Sequence, residues 1–238
     1  MSDFLDGLKA DLESTIKSRW ESRNGQVVPK NDEVALGNDR VLLDAVLLYA
    51  DLADSTELAI KNLEIASEVF KAYLNAVTKI IRSNGGHIRS FDGDRVMGVF
   101  IGDWKATPAV QSGLQIQGFF KDFLAPRFRE FYGDRVSSVN FNQTVGIDRS
   151  PVHVVRTGIR RNNDLIWVGR APNVAAKLSN IRDANYKTLI TPSVFDILAP
   201  MGKIGQPSGL SIWTQLSWTA GAAYGVPLIY GSGWTWAI

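Results

Sequence analysis

The run VLLDAVLLYA, Val41 to Ala50, constrains the fold of this chain more than any other segment. It has the length and β-branched, aliphatic character of a strand buried on both faces, which requires a sheet covered by other elements. The strand delivers Asp51 at its end, and Asp-Ser-Thr-Glu (Asp54–Glu57) follows at once. Asp54 with Glu57 three residues on reads as a capping-box-like helix start. The expected helix carries Leu58, Ala66, Val69, Phe70, Tyr73, Val77, Ile80 and Ile81 on one broad apolar stripe. Asn84-Gly85-Gly86 should stop it.

After the stop come HIRSF and DRVMGVF, two strand-like runs joined by Asp92-Gly93, a strong hairpin signal. A long helical stretch is expected from Thr107 to Phe131. Val136–Ile147 and Val152–Ile159 read as a strand pair turning at Asp148-Arg149-Ser150-Pro151. Asp164–Val168 reads as a short strand, Arg170–Ile181 as a helix, Thr188–Ile190 as a strand and Ser193–Leu198 as a short helix. The order β-α-β-β-α-β predicts an α+β, ferredoxin-like core with extra βαβ elements.

Two regions flank that core. Residues 3–22 predict an amphipathic helix, with Phe4, Leu5, Leu8, Leu12 and Ile16 at helical spacing, and Ser22–Arg40 a polar connection. Residues 1–40 are therefore an N-terminal helical arm and linker that packs on the body or on a second copy. Residues 41–238 form the main domain, and from Pro207 onward Trp213, Trp218, Trp234, Trp236, Tyr224 and Tyr230 suggest aromatic strands closing its edge.

Lys plus Arg number 26 against 24 Asp plus Glu, a net charge of +2 that argues against a nucleic-acid or membrane-surface binder. With no cysteine, thiolate metal sites, disulfides and Cys nucleophiles are excluded. The acidic N-terminus lacks the apolar core of a signal peptide, and the wholly apolar stretch Ala45–Ala50 is far below the ~20 residues of a membrane span. A cytoplasmic protein is expected.

In a ferredoxin-like sheet the first strand and the hairpin are adjacent and antiparallel, so Asp51 and Asp94 can share a site. Two carboxylates without His or Cys suit hard divalent cations. The N–H groups at 53–56 and the Thr56 hydroxyl could hold phosphate oxygens. Asn173 and Lys177, four apart, share a helix face. Around them lie Arg149, Arg156, Arg160, Arg161 and Arg170, with Asp164 the one acid between Arg149 and Lys177, which reads as an anion site.

YADLADST, GGHIRSFDGDRVMGVF, the glycine of VGID and VGRAPNVAAKL resemble, in order and spacing, the catalytic motifs of class III nucleotidyl cyclases, over about residues 42–198. The resemblance implies that Asp51 and Asp94, with the Leu52 carbonyl, hold two Mg²⁺ or Mn²⁺ ions per site. It implies that Asp54, Ser55 and Thr56 line the phosphate turn, that Asn173 orients the ribose, and that Lys177 stands where the family has a transition-state arginine. The last two come from the partner subunit in the family, which implies a head-to-tail homodimer with shared sites. Arg170 could supply the fork that Lys177 lacks, and Arg149 and Arg156 are candidates for the pyrophosphate.

Where adenylyl cyclases have a purine-reading lysine the chain has Ser90, and where they have an aspartate it has Ile166. Neither purine is provided with its hydrogen bonds. In this the chain resembles the bacterial Pycsar pyrimidine cyclases, with Tyr49, Ser90 and Ile166 shaping the base pocket. The resemblance implies conversion of UTP, or CTP, to cyclic UMP or cyclic CMP in antiphage defence, acting on a separate cyclic-nucleotide-responsive effector. The alternatives are an adenylate cyclase with an unorthodox pocket and a catalytically inactive nucleotide-binding homologue.

Overall fold

The computed structural model describes residues 2–137 and 139–238. In chain order it contains α1 (Ser2–Lys17), β1 (Glu21–Asn24), β2 (Asp39–Ala53), α2 (Ser55–Lys61), α3 (Leu63–Ser83), β3 (His87–Asp92) and β4 (Arg95–Phe100). Then follow α4 (Ala106–Phe119), a π turn, α5 (Ala125–Tyr132), β5 (Asn142–Ile159), β6 (Asn162–Gly169), α6 (Arg170–Ser179), β7 (Thr188–Ile190), α7 (Pro192–Phe195), β8 (Thr214–Ser217) and β9 (Leu228–Ser232). These fall into two compact units, residues 1–44 with 151–169, and residues 45–150 with 170–238.

In the larger unit the strand order is β3-β4-β2-β5-β7-β9-β8. The four strands β3-β4-β2-β5 have the ferredoxin-like arrangement, with β2 and β3 each antiparallel to β4. The extra βαβ element is β5–α6–β7, whose strands pair in parallel. β9 and β8 then add antiparallel, so the tail does close that end of the sheet. Of the tail aromatics only Tyr230 lies in a strand, where it stacks on Phe195 at 4.0 Å. Trp213 flanks β8, buried, with its indole N–H on the Gly202 carbonyl at 2.7 Å.

The core packs one face of β2 (Val46, Leu48, Ala50, Leu52) and β4 (Val96, Phe100) against the α3 stripe and α4 (Val110, Leu114). The period-2 alternation of β2 sends Leu47, Tyr49 and Asp51 to the other face. The expected single helix after β2 is two helices. Asn62 breaks it in extended geometry, and its side chain accepts the Ile65 N–H at 3.0 Å to cap α3. Asp54 does stand at the N-cap position of α2, as predicted, but in a left-handed backbone (φ 58°) and without a side-chain capping bond, its carboxylate accepting instead from Asn140 at 3.4 Å. The hairpin turn is Gly93-Asp94, one residue later than the Asp92-Gly93 expected, since Asp92 pairs with Arg95. Gly93 takes φ +59°, which favours glycine there.

The strand pair expected at 136–147 and 152–159 is one continuous strand, β5. Residues 148–151 are not a turn; they lie between the stretch paired to β7 and the stretch paired to β6. Asp148 is fully buried and its charge is met by a side chain from α6. α6 itself starts where Ser150 Oγ accepts the Ala171 N–H at 3.0 Å.

In the smaller unit β1 pairs in parallel with the start of β2, and β6 antiparallel with the end of β5. The N-terminal helix ends at Lys17, short of the predicted 22, because the Asn38 amide donates to the carbonyls of Thr15 and Ser18 at 3.1 Å. The following residues form β1 rather than more helix or a bare connection. Phe4, Leu5, Leu8, Leu12 and Ile16 are all at least half exposed.

Gly146, the glycine of VGID, lies against α6: a Cβ there would meet the Ala175 carbonyl oxygen at 2.2 Å and the Ser179 nitrogen at 2.5 Å. Gly146→Ala is expected to lower unfolding free energy by about 1–3 kcal/mol, whereas Gly37→Ala, with open space around it, should change it little. Urea denaturation of the two variants checks this.

Candidate active site

Asp51 and Arg95 face each other across β2 and β4 as a register pair. The Asp51 carboxylate is almost wholly buried. Both of its oxygens are taken: Oδ1 by Arg95 Nε at 3.1 Å and Oδ2 by an Arg182 terminal nitrogen at 2.6 Å. Arg95 reaches on to Asn180 Oδ1 at 2.6 Å, and Arg182 donates to the Ser179 carbonyl at 2.7 Å. A buried carboxylate needs such partners to stay charged.

Asp51, Leu52, Asp54, Ser55, Thr56, Glu57, Asp94, Arg95, Asn180 and Arg182 line one concavity of about 460 Å³. The fold thus brings together the residues expected to bind metal and phosphate. Burial pushes the Asp94 carboxyl above its usual range, the Asp51 charge pushes it the same way, and a hydrogen bond from Ser55 opposes both. Tyr73 on α3 is fully buried within the field of Asp51 and Asp94, which adds to burial in holding its phenol well above the usual range; its hydroxyl has no hydrogen-bond partner. Two carboxylates and a backbone carbonyl are hard oxygen donors, and their mutual repulsion is what a divalent cation relieves, so the residues present fit Mg²⁺ or Mn²⁺. Among the described residues no group of three or more His, Cys, Asp or Glu is placed to hold a metal ion, so any ion here would rest on the two aspartates, the carbonyl and the substrate's own oxygens.

Tyr49 pairs with Met97, and Met97 with Ser90 on β3, so Tyr49, Met97 and Ser90 form one row across three strands. Tyr49 is two residues from Asp51 and on the same face of β2. It is half-buried, which pushes its phenol above the usual range. Met97 is the member of the row that sequence reasoning missed; the ladder register reveals it.

Asn173 and Lys177 lie exposed on one face of α6, while Val174 and Leu178 on the other are buried. The Lys177 ammonium lies 5.1 Å over the Tyr224 ring. Arg170 does not offer a free fork: it is bidentate to the buried Asp148, both bonds at 3.0 Å, and also donates to the Arg149 carbonyl and Ser193. Arg149 is half-buried on β5. Arg156 and Ile166 belong to the smaller unit. There the Arg156 guanidinium is held by Asn163 at 2.8 Å and by the Val34 carbonyl, and Ile166 is 44% exposed on β6. Arg95, Asn180 and Arg182 were not among the residues the sequence singled out. Arg95 adjoins Asp94 and could have been noticed, whereas nothing local marks Arg182.

Because folding raises the Asp94 pKa, stability falls as pH rises from the ordinary carboxyl range, about 3.9, through the raised value. In EDTA at pH 7, Asp94→Asn is therefore expected to melt higher than the parent chain, an advantage lost in acid. Added Mn²⁺ should raise the parent's melting temperature and leave the variant's unchanged. Thermal unfolding with and without the ion reads both effects.

No protein-family model matches the chain. A uridylate cyclase of Rhodovulum sp. (strain MB263) is 37% identical over 217 residues, covering 90% of each chain. A uridylate cyclase of Xanthomonas perforans is 36% identical over 239 residues, 98% of this chain and 99% of that one. Among solved structures, an adenylyl cyclase from P. aeruginosa superposes with a TM-score of 0.64 at 22% identity, over 81% of this chain and 95% of its own. That likeness shows a shared fold, the class III cyclase fold.

Proposed function

We propose, from the premise that this chain belongs to the uridylate cyclase family, that it converts UTP, ahead of CTP, into the 3′,5′-cyclic monophosphate and pyrophosphate. The observation that carries the reading is the convergence of Asp51, Asp94 and the 54–56 turn on one concavity, next to a base-side row, Tyr49–Met97–Ser90, that carries no purine-reading lysine.

The 3′-oxygen of the ribose attacks the α-phosphorus, the bond to the oxygen bridging the α- and β-phosphates breaks, pyrophosphate leaves with the electron pair, and the hydroxyl proton passes to solvent. Asp51, Asp94 and the Leu52 carbonyl would hold two Mg²⁺ or Mn²⁺ ions, whose charge acidifies the 3′-hydroxyl and offsets that of the triphosphate. The Ser55 hydroxyl keeps Asp94 oriented, and Thr56 presents its hydroxyl to the phosphates. Asn173 and Lys177, exposed together on α6, serve the site of a second copy in a head-to-tail homodimer, Asn173 placing the ribose and Lys177 countering charge that grows on the phosphate. The smaller pyrimidine fits beside Tyr49 without the polar readers that a purine edge requires. The product acts as a signal to a separate cyclic-nucleotide-responsive effector in antiphage defence.

Four nucleoside triphosphates offered with Mn²⁺ and read by mass spectrometry test the substrate. Cyclic UMP should dominate; dominant cyclic AMP would replace the pyrimidine reading with the adenylate one, and no cyclic product would favour a nucleotide-binding homologue. Asp51→Asn should lower turnover by roughly 10²–10³-fold or more with the fold retained by circular dichroism.

The shared site has its own test. Mixing Asp51→Asn protein with Asn173→Ala protein should regain activity that neither has alone, since a mixed dimer holds one intact site. No regain after subunit exchange would place both residues in one protomer's site.

A further inference from the structure

We infer that Arg182 is a mobile cation of this site, holding Asp51 in one arrangement and the triphosphate in another, so that divalent ion and nucleotide bind as coupled events. The inference rests on the proposed cyclase reading and adds to it the cation that meets the pyrophosphate moiety.

Three observations carry it. First, Asp51 is a buried carboxylate whose two oxygens are already bonded to guanidinium groups. A divalent ion brought to the same carboxylate meets two positive charges at hydrogen-bond range, and like charges in a partly desolvated site repel strongly. One of the guanidiniums must therefore give way.

Second, the two arginines are held differently. Arg95 is fixed from both sides: it sits on β4 directly opposite Asp51, with 24% of its side chain exposed, and its other end is clamped by Asn180. Arg182 lies beyond the end of α6, outside any helix or strand, with 39% of its side chain exposed. Among the described residues its one bonded partner apart from Asp51 is the Ser179 carbonyl. A guanidinium on such a segment swings without disturbing the sheet.

Third, beyond the neutral donors of the 54–56 turn, the concavity offers an anion few positive charges. Arg95 and Arg182 are the cations among its lining residues. Lys61, on the adjoining α2, pairs with Glu57. Of the two candidates for the pyrophosphate, Arg156 is held by Asn163 in the smaller unit and Arg149 is not among the residues lining the concavity, while Arg170, the candidate fork, is bound to Asp148. A triphosphate entering beside Asp51 finds in Arg182 a planar donor suited to phosphate oxygens. Its arrival compensates the cation that the ion displaces.

The test uses the full-length chain and two variants, Arg182→Gln and Arg182→Lys, with circular dichroism as the check of folding. Mn²⁺ binding without nucleotide is followed by the electron paramagnetic resonance of the free ion. Arg182→Gln should bind Mn²⁺ about tenfold more tightly than the parent chain, because a competing cation is gone. At saturating Mn²⁺ its KM for UTP should rise about tenfold or more, with Arg182→Lys between the two in both measurements. Unchanged or weaker Mn²⁺ binding, or an unchanged KM, would overturn the inference. A parent chain that turns over no triphosphate would sink the cyclase reading instead, and the Mn²⁺ competition would still report on Arg182.

Discussion

The Asp51 carboxylate is the point on which the larger unit's chemistry depends. It is placed at the end of a strand too apolar to lie anywhere but inside a sheet, with 3% of the residue exposed. A charge in that position survives only if it is paired. The fold pairs it from two directions, by the β4 residue opposite and by a residue beyond α6. Concentrated negative charge at Asp51 and Asp94 suits hard cations, and the arginines beside it suit phosphates.

The rest of the larger unit sets the position of that carboxylate. Core packing on one face of β2 and β4 leaves the opposite face to Tyr49, Asp51, Met97 and Arg95, and the antiparallel register fixes which of them are neighbours. α6 is positioned by independent means. Gly146 lets it approach β5 closely, Ser150 caps its start, and Arg170 ties its first turn to the buried Asp148. The helix can then present Asn173 and Lys177 outward on a firm base. Arg170, attractive as a catalytic fork, contributes by holding that helix. Removing one partner of a buried ion pair leaves an uncompensated charge, at a cost of about 3–5 kcal/mol.

Lys177 illustrates how the setting of a side chain can qualify its chemistry. An ammonium is a strongly hydrated point charge without the two-pronged geometry of a guanidinium. Here it lies over the Tyr224 ring, which in turn stacks with Trp218. The aromatic tail thus does more than close a sheet edge: it also supplies the surface on which this lysine rests.

Patterns with a local cause were legible in the sequence. The apolar β2, the α3 stripe, the glycine stop, the β3–β4 hairpin and β7 follow from periodicity and turn chemistry, and the order of these elements specifies the ferredoxin-like core. That core is enough to place Asp51 beside Asp94. What depends on partners distant in the chain was not legible. Asp148-Arg149-Ser150-Pro151 has the composition of a turn, yet it runs straight through because Arg170 neutralises Asp148 and β5 changes partners there. Asp54 holds the N-cap position but gives its carboxylate to Asn140 rather than to the helix, and α1 ends where Asn38 gathers its carbonyls. The sequence by itself determined the strand, the two acids and their adjacency, since backbone periodicity is a local property. Only the tertiary structure decided which cations answer those acids, because an ion pair between residues 51 and 182 exists only once the sheet and α6 have brought them to 2.6 Å.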